Sequence, residues 1–501
     1  MSAADDMSVS GCVASRTPTS TTLRSALALT VLTGAAALWQ TRWGTVPDTS
    51  WLITVGERVL DGERLYVDVM ETNPPFSVWL YLPAVAAARA LGLAPEVAVH
   101  AWTYGLGLIG LLLSALVLHR SRLDVGMPVT AWLLATWILL VIFPGQAFSE
   151  REHIGVALFL PMAALMAWRA SGTGRPGAGL AATVGLAGSM LLLVKPYYAL
   201  MVLAPPLVAC ARHRSLRPLL TIEHVVIGGV CMAYLAAVAI FHPDFLSTTA
   251  PLLTDTYLQI RTFWPIVLTY GPAVAAIGLA AAWLWPREGA PAVGTTFLLV
   301  AAAAIPPLFL QGKGWAYHAY PALLFGALSL MTLAASRGRF AIALVAIAAS
   351  FLPFWPTQKP SDAVVDAIRQ AVSEPSVALI GADIGKGHPL VRMVDGRWVS
   401  AHVSDWLGTS ALHLAQAARR DGQAQEAARY RMMVHAYVEA KRQEFIAQRP
   451  DIVVLQKSDA EWIRFLSERH GFAMLLASYG KLVEDDGVIV LLRDEAELKD
   501  R

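Results

Sequence analysis

Apolar residues in this chain come in long, nearly unbroken runs. They occupy residues 23–41, 76–92, 97–118, 127–146, 154–170, 178–194, 197–211, 220–241, 264–284, 292–310, 317–335 and 339–355. Many approach the ~20 residues that a helix needs to cross a bilayer. The pattern predicts a polytopic α-helical membrane protein of about 11–12 apolar segments. After residue 356 the pattern changes. Short β-rich runs (376–380, 452–455, 487–492) alternate with helical stretches (361–373, 423–448, 459–469). Asp485-Asp486-Gly487 reads as a hairpin turn between the last two strands. Pro353, Pro356 and Pro360 mark the boundary. Residues 356–501 are therefore expected to form a small soluble α/β domain, and residues 23–355 the membrane domain.

Composition supports the membrane reading. Of 501 residues, 56% are hydrophobic and 15% charged, where a soluble domain carries about 25% charge. Mean hydropathy is +0.51. A net charge of +2, with no basic stripe outside the loop flanks, gives no reason to expect a nucleic-acid partner. Cys12, Cys210 and Cys231 make no disulfide framework. Residues 1–22 are Ser/Thr/Ala-rich and predict a disordered cytoplasmic N-terminus. The run at 23–39 is long and has no clear cleavage site, so it reads as a first span.

Charge between the runs sorts into two kinds. Arg-rich punctuation sits at His119–Arg122, Arg169–Arg175, Arg212–Arg217, Pro286-Arg287 and Arg337–Arg339. Cytoplasmic loops carry excess Lys and Arg, and from residue 97 onward these fall at every second loop. The alternate loops mix acids, Lys, His and aromatics, and are placed outside with the C-terminal domain. Parity fails if 76–92 also spans, so either one Arg loop is misplaced or that segment is re-entrant or interfacial. Its prolines (Pro74, Pro75, Pro83) suit a segment that dips, so the expectation is eleven full spans plus that segment.

The outer loops hold the candidate chemistry. Asp48 follows the first span and opens a short amphipathic helix through residue 60. It reads equally as a helix cap or as a carboxylate facing a cavity. Asp68 and Glu71 precede Asn73-Pro74-Pro75, an extended turn at the membrane surface. In Glu150-Arg151-Glu152-His153, Glu152 lies nearest the apolar run and is expected to face a cavity. Lys195 stands at a junction of two runs. Lys313 and His318 flank Trp315 and Tyr317. Together these cations suit a phosphate clamp. Gly381–Gly387 has the wrong spacing for a nucleotide phosphate loop, and no Ser or Thr follows its Lys; it reads as a strand-end loop. Nothing suggests structural zinc, and a lone divalent ion between Asp48 and Glu152 stays open.

In order and spacing the chain resembles the GT-C superfamily of membrane glycosyltransferases. The bacterial branch that includes lipid A aminoarabinose transferases, related to protein O-mannosyltransferases, is the nearest likeness. The resemblance rests on Pro47-Asp48, Gly62 to Asp68, Pro74-Pro75, an acid at the start of a span (Glu152), Lys195-Pro196, and Trp315 to Pro321. It implies a plasma-membrane enzyme of the cell envelope with an extracytoplasmic active site. Such an enzyme moves a sugar from a polyprenyl-phosphate donor to an envelope glycan, lipid (lipopolysaccharide among them) or protein acceptor. By resemblance Asp48 is the catalytic base and Glu152 the second acid, where Asp is more usual. Asp68, Glu71, Lys195, Lys313, Tyr317 and His318 fall to substrate binding. Asn73 stands where many relatives have Lys. The rival class, a transporter or flippase of envelope glycolipid, predicts mid-span charges and internal repeats, and neither is evident.

Overall fold

A computed structural model describes residues 20–286, 289–357, 359–485 and 487–494. Residues 1–19, most of the stretch expected to be disordered, and with them Cys12, lie outside the described residues. The first helix, α1 (Ser20–Gln40), begins slightly before the predicted run. A short loop leads to α2 (Pro47–Leu60), then to the broken pair α3 (Phe76–Trp79) and α4 (Leu82–Leu91). Long helices follow: α5 (Pro95–Ser121), α6 (Val129–Val141), α7 (Arg151–Ser171), α8 (Ala178–Val194), α9 (Ala199–His213) and α10 (Ile222–Phe241). An outer segment carrying α11 (Ala250–Asp255) precedes α12 (Trp264–Leu284), α13 (Ala292–Ala303), α14 (Ile305–Gln311), α15 (Ala316–Arg337) and α16 (Phe340–Phe351). Six of these stretches are long and apolar enough to cross a membrane.

The bundle is centred on α7 and α15, which are buried along almost their whole length. Apolar side chains on every face are what the core of a membrane bundle requires. Small residues permit the closest crossings. A Cβ at Gly110 would lie 2.0 Å from the carbonyl oxygen of Ala157, and one at Gly185 would lie 2.6 Å from that of Glu223. These glycines let α5 meet α7 and α8 meet α10.

Both kinds of loop segregate. At one end, Arg169 pairs bidentately with Glu223 at 2.9 Å, Arg339 lies over the Trp283 ring, and Gly126 abuts Ala335. At the other end lie Asp48, Glu150, Lys195 and Trp315. Residues 76–91 begin and end at that second end. Pro74 borders its cavity, and Glu96, just beyond, pairs with Arg392 of the C-terminal domain. The proline-rich segment therefore dips and returns, leaving α5 to resume the alternation.

The C-terminal domain carries a five-stranded sheet in the order β2-β1-β3-β5-β4. Its strands are β1 (Ser376–Ile380), β2 (Arg397–Trp398), β3 (Ile452–Gln456), β4 (Tyr479–Glu484) and β5 (Val488–Arg493). The β1–β3 pair is parallel, with Val377 opposite Ile452; β3–β5 and β4–β5 are antiparallel. Helices α17 (Asp362–Ala371), α18 (His388–Met393), α19 (Trp406–Arg420), α20 (Ala424–Gln448) and α21 (Ala460–Arg469) surround it. The β4–β5 hairpin turns where Asp485 and Gly487 predicted, with Asp485 Oδ1 accepting from the Gly487 and Val488 amides at 2.8 Å. The sheet packs directly on the bundle. One apolar cluster joins Trp51 and Val55 of α2 and Tyr81 and Val85 of the dipping segment to Leu390, Trp398 and Val454. Arg392 fastens the same contact, reaching both Glu57 oxygens at 2.6 and 3.1 Å and also Glu96.

Candidate active site

A cavity of about 1250 Å³ opens between the bundle end and the sheet. Its floor is built by two chain reversals. The first is the start of α2. Here the capping position is Val46, Pro47 is the first helical residue and Asp48 the second. Asp48 is thus not the cap: proline needs no N–H partner at that place, and the carboxylate is left to face the cavity.

The second reversal is the entry to α7. Ser149 takes a left-handed conformation (φ 64), costly for a residue with a Cβ. Its carbonyl is held by the hydroxyls of Tyr81 at 2.6 Å and Thr49 at 3.2 Å. That grip sets the direction in which the next residues leave. Glu150 and Arg151 reach the cavity, whereas Glu152 lies one layer behind it, fully buried. The expectation that Glu152 would line the cavity is thereby corrected by one residue. Each residue turns a helix by about 100°, and the helix starts at Arg151.

Charges on the floor are arranged in pairs. Arg151, 1% exposed, approaches Asp48 at 3.5 Å, and its Nε and Nη1 have no partner among the described residues. Lys195 Nζ lies 2.5 Å from Glu152 Oε1 and 3.1 Å from His318 Nε2, with the Tyr317 ring 5.4 Å away. Lys195 itself borders the cavity; His318 stands behind it, buried. Burial, reinforced by the charge on Asp48, pushes the Glu150 carboxyl well above the usual range. Glu150 is thereby suited to keep its proton. The hydroxyls of Tyr197 and Tyr317, both on the cavity wall, are also buried without hydrogen-bond partners among the described residues. Unpaired buried polar groups are costly and rare. Here they border one space, with the Asp48 and Glu150 carboxyls beside them.

Other predicted residues fall elsewhere. Glu71 lines the cavity, but its oxygens accept from the Trp51 indole and from Asn73 N and Nδ2 at 2.8 and 2.5 Å. It holds the turn before Pro74 in shape. Asp68 is exposed, and its Oδ2 accepts from the Arg64 amide at 2.8 Å, which keeps its pKa low; it does not border the cavity. Lys313 also turns away. Its Nζ donates to the carbonyls of Tyr257 and Ile260 at 2.7 and 2.5 Å and sits 3.9 Å from the Tyr257 ring. It ties down the outer segment that walls the cavity. Among the described residues no group of three or more His, Cys, Asp or Glu is placed to hold a metal. Between Asp48 and Glu152, where a divalent ion was considered, Arg151 supplies the positive charge.

Sequence reasoning passed over Arg151, Ser149, Thr49 and Tyr81. Only Arg151 gave a signal, as a cation inside an acidic run at a span entry. The roof was passed over too. Ala382 to Lys386, Ser404 and Gln456, all from the C-terminal domain, line the cavity opposite Asp48. The loop after β1, read simply as a strand end, is one of its walls.

No family model and no curated protein matches this chain. Among solved structures, ArnT from Cupriavidus metallidurans bound to undecaprenyl phosphate is similar, with a TM-score of 0.52 and 13% identity. The match covers 92% of this chain and 97% of that one. The chain is a multi-pass membrane protein with the fold of that structure, in line with the GT-C-like architecture its sequence resembles.

Proposed function

We propose that this chain is a membrane glycosyltransferase that moves a sugar from a polyprenyl-phosphate donor to a hydroxyl acceptor on the extracytoplasmic side. The observation that carries this reading is the floor of the cavity. A carboxylate, Asp48, stands beside a buried guanidinium, Arg151, that has N–H groups without partners among the described residues, and Lys195 borders the same cavity. Cations at the site of a leaving phosphate stabilise the charge that develops there, and a planar guanidinium can bind two phosphate oxygens at once. The undecaprenyl phosphate in the ArnT structure supports the same donor class.

In this reading Asp48 takes the proton of the acceptor hydroxyl. The acceptor oxygen attacks the anomeric carbon, and the bond from that carbon to the phosphate oxygen breaks. The leaving polyprenyl phosphate keeps the electron pair, opposite Arg151 and Lys195. Direct displacement inverts the anomeric centre. Glu152 and His318 do not touch the reacting atoms; they hold Lys195 in place. Tyr317 shapes the phosphate pocket from the side.

The test is a transfer assay in membranes with a panel of polyprenyl-phosphate sugars, comparing wild type with Asp48→Asn. We expect transfer by the wild type and a loss of about 100-fold or more in the variant, the scale of a general base. Full transfer by Asp48→Asn would remove it from the base role. Failure of every donor with the wild type would return the flippase reading.

A further inference from the structure

The roof of the cavity differs from its floor. It is formed by the C-terminal edge of the parallel β1–β3 pair, the edge at which open α/β sheets bind ligands. Three successive amides of the loop after β1 are held by side chains. Gly381 N donates to Asp405 Oδ2 at 3.0 Å, Ala382 N to Asp459 Oδ2 at 2.7 Å and Asp383 N to Gln456 Oε1 at 2.8 Å. Ser404 Oγ donates to the Ala382 carbonyl at 2.8 Å. This loop also touches the catalytic corner, because a Cβ on Gly385 would meet Pro47 Cγ at 3.6 Å. Roof and floor therefore meet at the residue before Asp48.

The roof's chemistry is that of a sugar site. Asp383 is exposed on the cavity, with Oδ1 used only by the Gly385 amide. Trp406 forms an edge-on pair with Tyr257 of the outer segment, ring centroids 5.5 Å apart, so aromatic surface bridges roof and wall. Of the roof's cations, Lys359 Nζ donates to the Thr41 carbonyl at 2.6 Å, and Lys386 lies close to the β4–β5 turn at Gly487. An exposed carboxylate and an aromatic pair on the same cavity suit a ring rich in hydroxyls. The carboxylate would repel a phosphate placed against it.

We infer that the C-terminal domain is the acceptor-reading half of the site, and that it holds an uncharged carbohydrate through Asp383 and the Trp406–Tyr257 surface. This rests on the transferase reading and adds the acceptor's class. The test uses the full chain in nanodiscs, with methyl glycosides of glucose, galactose, mannose and N-acetylglucosamine as probes in saturation-transfer NMR. Mannose 6-phosphate and a serine-containing tripeptide serve as comparison ligands. We expect at least one uncharged glycoside to bind. Asp383→Asn, which keeps the turn but loses the charge, is expected to weaken it about fivefold, and Trp406→Leu similarly. Should Trp406→Leu fail to fold, Asp383→Asn decides alone. Wild-type preference for the phosphosugar or the peptide, no glycoside signal, or unchanged binding by Asp383→Asn would each overturn the inference. Undecaprenyl phosphate binding by wild type is measured in the same discs. Its absence would strike the donor reading, separately from the roof.

Discussion

A guanidinium that is 1% exposed and carries N–H groups without partners is expensive to keep. In the proposed function, the donor's phosphate would supply the partner that these N–H groups lack. Arg151→Ala is expected to lower transfer roughly 100-fold, the scale of losing a preorganised donor. Arg151→Lys should recover little, since a point charge cannot replace a planar fork. Steady-state assays with the preferred donor would check both, and full activity in either would refute the assignment. Glu152 carries a different kind of role. Glu152→Gln leaves Lys195 buried without its anion and should destabilise the fold by about 3 kcal/mol. Adding Lys195→Met should return much of that stability while leaving transfer low, because the pair is coupled. Melting in detergent would read the first effect, and a double variant no more stable than Glu152→Gln would contradict it. Asp48 and Lys195 were legible in the sequence as charges at span junctions. Arg151 was not, because which side chain meets the cavity depends on helix phase, and that phase is set by Tyr81 and Thr49 gripping the Ser149 carbonyl.

At the level of elements, apolar run length placed the helices, but among the described residues six stretches, not the eleven expected, are long and apolar enough to cross a membrane. The dipping segment was legible from Pro74, Pro75 and Pro83, which break it where a span would need continuous backbone bonding. Helix α19 was missed, and so was the role of the outer segment before α12. Lys313 looked like a phosphate ligand in sequence because nothing there shows that two carbonyls already occupy its ammonium. Its setting gives a pH prediction. Burial, and then the charge of Arg261, lower its pKa from 10.5 to about 8. The unfolded chain then holds the proton more tightly, so the folded state pays for the charge below pH 8 and is relieved as pH rises to 10.5. Wild type should therefore gain stability relative to Lys313→Met across that window. Parallel melting curves at pH 7.5 and 10 would show it, and a constant difference would exclude it.

For the molecule as a whole, the decisive arrangement is the position of the Arg-rich loops at one end of the bundle and the cavity at the other. The C-terminal domain closes that cavity and is fastened by Arg392 to Glu57 of α2 and Glu96 of α5. Arg392→Ala should cost about 2 kcal/mol, less than a fully buried pair because Glu57 is partly exposed. It should also speed proteolytic cleavage in the linker before α17; an unchanged cleavage rate would mean that the apolar cluster alone holds the domains together. The proposed orientation rests on the same segregation. With the Arg loops cytoplasmic, as the positive-inside rule predicts, the cavity would face a compartment without nucleotide sugars. Only there is a lipid-borne donor required. In a variant with its native cysteines replaced, an impermeant maleimide should label Asp421→Cys in intact cells and Arg175→Cys only after permeabilisation. Both positions are exposed, at opposite ends of the molecule. The reverse pattern would put the sheet domain in the cytoplasm, where a nucleotide sugar could serve as donor, and would remove the chemical reason for a polyprenyl-phosphate donor.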